Sequence, residues 1–268
     1  MLYLNAMFSR GPEHTGESLQ VSLALGSAAH DYRWLLDRDY PDTQSLRLVG
    51  DRYRLSGTER GMLYRGVFSE QDSRRRAARL SGLDTQGHAT PNASDSFNAT
   101  GTQLTVDGHN VLFTIWNYLS GRPIVLATDG WLRDIGGTRA RLPHDERFTR
   151  VATLLLEALK ATRCNPINIL LDEQLPWSRD HCTEINALHA QVSHTGAGPA
   201  ASKAPTLTAT TNSSVDAAVA ATGGGSIATS DTGIIDRCKA PVLDLGGYIV
   251  LQVLEGRPLH MTQLCKLG

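Results

Sequence analysis

The sequence predicts an α/β protein, a parallel sheet with helices on its faces, preceded by a small helical domain. Three observations predict it. From residue 101 onward, short apolar β-type runs alternate with longer amphipathic runs, the pattern of strand–helix crossover units. Over residues 16–80 the periodicity is helical. Between the two lies a stretch rich in Gly, Ser, Thr, Asn and Pro, which reads as a linker. The expected division is a helical domain over 16–80, a linker over 81–100 and an α/β domain over 101–268.

The elements follow in order. Ala28 to Asp37 places Tyr32, Leu35 and Leu36 at helical spacing, and Pro41 ends that segment. Ser56 and Glu59 fit a capping box for a helix carrying Met62 and Leu63. Ser69 to Leu80 is a further helix with Arg74, Arg75, Arg76 and Arg79. Past the linker, Leu104 to Asp107 is a strand and Val111 to Leu119 an apolar helix closed by Gly121. Ile124 to Ala127 is a second strand, running into Asp129. Phe148 to Lys160 is a helix, and Ile167 to Leu171 a third strand ending at Asp172. Arg179 to Gln191 is a helix, Leu207 to Thr211 a strand, and Val215 to Ala221 a short helix. Ser226 to Thr229 is a strand ending at Asp231, and Tyr248 to Leu254 reads as the last strand.

Composition narrows the function. The 268 residues are 41% hydrophobic and 20% charged, enough for a sizeable core, and the net charge is −1. A polycation is excluded, so any nucleic-acid binding needs local patches or a metal. Cys164, Cys182, Cys238 and Cys265 form no CxxC pair. Met1 to Gln20 has no long apolar core, and no apolar run approaches a membrane span. The expectation is a cytoplasmic protein with reduced thiols and no membrane partner.

The acids at strand ends carry the chemistry. Asp107, Asp129, Asp172 and Asp231 each follow an apolar strand directly or nearly so, and Asp216 sits in the first turn of a helix. In a parallel sheet, strand C-terminal ends converge on the crevice where ligands bind. Each acid alone is also a plausible helix cap or turn residue. Clustered carboxylates repel, and a divalent cation removes that cost. Oxygen-only donors favour Mg²⁺ or Mn²⁺. Such ions activate water and clamp phosphoryl oxygens.

Three short motifs support this. Val106-Asp107-Gly108-His109-Asn110-Val111 resembles the opening of PIN-like nuclease domains of the NYN type. Ser214-Val215-Asp216 is similar to that branch's later helix start, and Ala228-Thr229-Ser230-Asp231 to its strand end. In the N-terminal part, Leu35 to Pro41, Leu48 to Tyr53 and Glu59-Arg60 resemble the domain-of-unknown-function 434 family, in which a helical domain precedes a PIN-like one. The resemblance implies a PIN-like fold with Asp107, Asp216 and Asp231 as metal-binding acids. Asp172 is the choice for the remaining acid and Asp129 its competitor. Asn110, Thr229 and Ser230 support them, and Asp236 is a further acid or a solvated helix residue. Pro176 to Asp180 departs from the Ser-rich turn that the pattern implies after Asp172.

Residues 28–80 carry eleven arginines against eight acids and no lysine. Arg52, Arg54, Arg74, Arg75 and Arg76 are candidates for phosphate contacts, against the alternative of a solvated helix face. The expected function is metal-dependent phosphodiester hydrolysis, of single-stranded RNA. The alternatives are a nucleic-acid-binding module with an inactive site, and a phosphatase acting on a small phosphate with the same acids. His109 as general base, a zinc site at His181, Cys182, His189 and His194, and Trp131 as a base-stacking platform are weaker readings than ordinary packing.

Overall fold

The computed structural model describes residues 23–80, 102–136, 141–195 and 205–267. The expected linker over 81–100 and the first residues, Met1 to Gln20, lie outside them.

Four helices come first: α1 (Leu23–Leu36), α2 (Asp42–Arg52), α3 (Gly57–Gly66) and α4 (Glu70–Ala77). The capping box at α3 is formed, with Ser56 accepting from the Glu59 N–H and Glu59 accepting from the Ser56 N–H at 2.8 Å. Ser69 caps α4. Pro41 stands just before α2, where a fixed φ suits a helix start.

The remaining elements are β1 (Leu104–Asp107), α5 (Gly108–Leu119), β2 (Ile124–Leu126), β3 (Leu132–Asp134), α6 (Glu146–Ala161) and β4 (Ile167–Asp172). They continue with α7 (Ser178–Thr195), β5 (Leu207–Asn212), α8 (Val215–Ala220), β6 (Ser226–Ala228), α9 (Thr232–Arg237) and β7 (Val242–Leu243). The chain then runs through α10 (Leu245–Tyr248), a π-helical turn (Ile249–Val253), β8 (Leu259–His260) and α11 (Met261–Leu264).

Five strands form one parallel sheet in the order β5-β4-β1-β6-β7. The chain leaves β1 for β4 on one side and returns to β6 on the other, so β1 sits at the topological switch. The main core packs α5, α6 and α7 against this sheet through Leu112, Ile115, Phe148, Leu155, Ile169 and Ile185. At the first residue of α5, a Cβ on Gly108 would stand 2.5 Å from Leu171 and 2.9 Å from the Leu170 carbonyl. Only glycine lets α5 start this close to β4.

Two expectations need correction. The Ile124 strand is real, but it belongs to a separate three-stranded sheet, β3-β2-β8, where it pairs antiparallel with β3. Asp129 therefore does not lie on the edge shared by the other acids. Tyr248 to Leu254 is not a strand. Asp244 accepts from the Gly247 N–H at 2.7 Å and starts a helix that runs into the π-helical turn. There Ile249 and Val250 are fully buried, so packing overrides their β propensity.

The helical part and the α/β part share a core. Leu25, Tyr32, Met62 and Leu63 pack with Val125, Met261 and Leu264. Arg76 on α4 holds Asp236 on α9 by two bonds of 3.0 and 2.7 Å, and Arg79 reaches the carbonyls of Cys238 and Ala240.

Candidate functional site

The C-terminal edge of the parallel sheet opens into a cavity of about 830 Å³. Asp107, Asp172, Asp216 and Asp231 all line it, with Asp134 as a fifth acid. Each is placed by local structure. Asp107 ends β1 and caps α5, accepting from the Asn110 N–H at 3.4 Å. Asp172 ends β4 and accepts from the Gln174 N–H at 2.9 Å. Asp216 stands in the first turn of α8. Asp231 follows β6 and caps α9, accepting from the Ile234 N–H at 3.0 Å. For Asp107 and Asp231 the cap reading, and for Asp172 the turn reading, thus holds together with a place on the cavity wall.

The supporting residues tie the strand ends together. Thr229 donates its hydroxyl to Asp107 at 2.9 Å and accepts from the Asp231 N–H at 3.1 Å. The Asn110 side-chain oxygen accepts from the Ser230 N–H at 2.8 Å and from its hydroxyl at 3.1 Å. These bonds lock the end of β1 to the end of β6.

Asp107 is 6% exposed, and burial pushes its carboxyl up to about 7, with the charges of Asp231 and Asp216 adding to the rise. The donors at Thr229 and Asn110 work in the other direction. His109 is pushed down to about 4, by burial first and by His181 second. Its Nδ1 accepts from the Asp172 N–H at 2.9 Å, which leaves the ring proton on Nε2. At neutral pH this imidazole is an uncharged brace between the start of α5 and the end of β4.

The acids on the cavity wall offer carboxylate oxygens and no thiolate, the donor type that a hard divalent cation takes. The spacing does not form a complete protein cage. Among the described residues, no group of three or more His, Cys, Asp or Glu stands close enough to hold a metal ion. Mg²⁺ commonly takes one or two carboxylates and completes its shell with water and phosphate oxygens, and the residues present fit that mode.

Other candidates lie elsewhere. Asp129 is fully buried and held by Arg133 at 2.7 and 2.9 Å, outside the cavity. Asp236 is neither a cavity acid nor simply solvated. Burial favours its neutral form, but the guanidiniums of Arg76 and Arg75 outweigh it and hold the carboxyl below its usual range. Arg74 pairs with Glu70, Arg75 with Asp72 and Asp236, and Arg76 with Asp236. Arg52 stands 3.9 Å from Asp31, and Arg54 has a left-handed φ of 53°. Neither borders the cavity. Trp131 is buried, and its indole N–H donates to the Arg76 carbonyl. His181 is buried against Phe148, and all four cysteines are free.

The structure adds residues that the sequence reading did not name as site candidates. Arg60, Tyr64 and Arg65 on α3, and Arg237 on α9, line the same cavity. Gly57, Gly61, Tyr64 and Arg65 recur at helical spacing, which puts them on one face of α3. That spacing behind the capping box was the available signal.

Comparisons with known proteins give two family matches along the chain. Residues 24–79 match the model for "Protein of unknown function (DUF434)", and residues 97–248 match "Domain of unknown function (DUF5616)". The chain is 26% identical to "Uncharacterized protein MJ0935" of Methanocaldococcus jannaschii over 156 residues, 58% of this chain and 68% of the relative. No solved structure matches significantly. No helix among the described residues is long and apolar enough to cross a membrane.

Proposed function

The chain belongs to the DUF5616 family through residues 97–248, the segment that carries all five cavity acids, and from those acids we propose a metal-dependent phosphodiesterase acting on single-stranded RNA. The proposal includes a PIN-like arrangement of the α/β part, which the three short motifs support. One observation carries the reading. A buried carboxyl at a strand end, raised to about 7 by burial and by two neighbouring acids, faces a cavity that also holds arginines.

Asp107 and Asp231 would hold Mg²⁺ or Mn²⁺, with Asp172 and Asp216 on the same cavity wall. When bound, the ion supplies Lewis-acid stabilisation of phosphoryl charge and activation of water. Asp107 would have to lose its proton to hold the ion, so affinity would rise as pH approaches 7. Thr229 and Asn110 keep its carboxylate oriented. His109 fixes the Asp172 turn without adding charge. Arg60, Arg65 and Arg237 border the cavity and balance phosphate charge.

The test is cleavage of single-stranded RNA by purified protein. Cleavage is expected with Mn²⁺ or Mg²⁺ and not with EDTA, and Asp107→Asn is expected to lose it. An Asp107→Asn protein as fast as the parent would overturn the assignment. A second reading, a nucleic-acid-binding module with an inactive site, is favoured by the incomplete ligand cluster. RNA affinity without cleavage in any divalent ion would select it.

A further inference from the structure

A second cavity, of about 640 Å³, adjoins the first. Arg65, Arg75, Arg76 and Arg133 line it, with Tyr64 and Phe68 among its aromatic residues. The two cavities share Tyr64, Arg65 and Asp231 as a common wall. They therefore adjoin one another on either side of one of the candidate metal acids.

The arginines here are unequally used. Arg133 is spent: its Nε donates to the Ser230 carbonyl, and both terminal nitrogens donate to Asp129. Arg76 is 8% exposed, and its Nη1 makes no hydrogen bond, standing 3.9 Å from Asp129. Arg65 is the least satisfied. Its guanidinium approaches Asp134 only to 3.8 Å, and its buried Nε makes no hydrogen bond. Buried donors left without acceptors are costly, and a phosphate oxygen is the acceptor that a guanidinium suits best. Tyr64, at the same junction, is 50% exposed and offers a ring face.

We propose that the two cavities form one groove for a single strand of nucleic acid, with Arg65 holding a backbone phosphate and Tyr64 stacking a base where they meet. This rests on the acid cavity being a nucleic-acid site, and it adds that the substrate is a polymer. Each cavity has the size of one small-ligand site, so a mononucleotide fills one and a longer strand fills both. Asp39, Asp42 and Asp72 also border the second cavity, beside the shared Asp231, so a bare anion gains little there. A strand gains base stacking as well as charge.

The experiment measures binding of the full chain in EDTA, where cleavage plays no part. Fluorescence anisotropy follows a labelled single-stranded RNA octanucleotide, with a dinucleotide and inorganic phosphate as competitors. The octanucleotide should bind, and neither competitor should displace it at equal concentration. Tyr64→Ala should weaken binding roughly tenfold. Arg65→Gln should reduce the log–log salt slope by about 0.7, while Arg65→Lys preserves it. Should Arg65→Gln melt too low to assay, Arg65→Met, which keeps the apolar stem and removes the charge, carries the same slope test. An unchanged slope in the folded variants overturns the proposal, as does a dinucleotide that competes as well as the octanucleotide. If the slope falls but no divalent ion yields cleavage, the groove stands and the hydrolase reading falls.

Discussion

Asp107 and Asp129 look alike in sequence and have opposite fates. Both come after a short apolar strand and both are buried, at 6% and 0% exposure. Asp129 is met by two guanidiniums, Arg133 at 2.7 Å and Arg76 at 3.9 Å. Asp107 is met by a hydroxyl and a backbone N–H, with Asp231 and Asp216 near enough to oppose its charge. A buried acid whose charge is cancelled is architecture. A buried acid left with its charge uncancelled is a candidate for chemistry. The residues just downstream separate the two: Arg133 lies four positions after Asp129, whereas Asn110 lies three after Asp107.

The comparison breaks most visibly at Arg133. Arg133→Ala leaves Asp129 buried with only the more distant Arg76, and breaking such a pair costs about 3–5 kcal/mol. Chemical denaturation should show that loss. Asp129→Asn combined with Arg133→Met should recover much of it, because no charge is then left uncompensated. If Arg133→Ala is as stable as the parent, Asp129 is not held by this pair and returns as a candidate ligand.

The opposite result is expected at Asp107. Its folded carboxyl is raised from 3.8 to about 7, so the native state keeps a proton that the unfolded chain has released. Stability from this group is full below the ordinary carboxylate value and is lost as pH rises through about 7. The loss reaches up to about 4 kcal/mol. Asp244, raised to about 6 by burial, adds in the same sense. His109, lowered from 6.5 to about 4, acts oppositely, since its contribution is lost as pH falls through that window. The difference between Asp107→Asn and parent isolates the acid. The variant should become relatively more stable as pH goes from about 5 to about 8. A difference flat with pH would mean that Asp107 ionises freely in the fold.

These two positions also show what a single sequence reveals. The strand before each acid is local in the chain and was legible, as was the capping box at Ser56. The motifs around Asp107, Asp216 and Asp231 pointed to residues that the fold does bring to one cavity. Sheet membership is not local. Nothing within Ile124 to Leu126 says that it pairs with β3 and β8 rather than with β1. Partners from distant segments were equally hidden. Asp236 meets Arg76 from 160 positions away, so neither side reveals the ion pair. The helix after Asp244 was not legible: the Ile and Val of Tyr248 to Leu254 suggested a strand, and only their burial in the folded core, complete at Ile249 and Val250, sets that preference aside.

Metal sharpens the contrast at the next level. If Asp107 and Asp231 hold the ion, Mn²⁺ at a hundredfold excess over its dissociation constant should stabilise the parent by about 2.7 kcal/mol. The gain should shrink as pH falls below about 7, because the ion must displace a proton from Asp107. Asp231→Asn should lose most of it. Asp129→Asn combined with Arg133→Met, outside the cavity, should keep it. Equal Mn²⁺ shifts in all three proteins would locate the ion elsewhere.

The finest test concerns the hydroxyl that Asp107 has in place of a guanidinium. Thr229 donates to the Asp107 carboxylate at 2.9 Å and favours its charged form. Thr229→Val keeps the shape of the side chain and removes the donor. With a hydrogen bond worth about 1.4 kcal/mol, the Asp107 titration should move up by roughly one pH unit. Thr229→Ser keeps the donor and should leave the titration near its parent position. The readout is the acid limb of the pH–rate profile or, without activity, the pH at which Mn²⁺ begins to stabilise the fold. Thr229→Val also removes an acceptor from the Asp231 N–H, which lowers stability at every pH. Only the titration shift reports on Asp107. A stability loss without that shift would mean that Thr229 braces the end of β6 and leaves the charge state of the acid untouched.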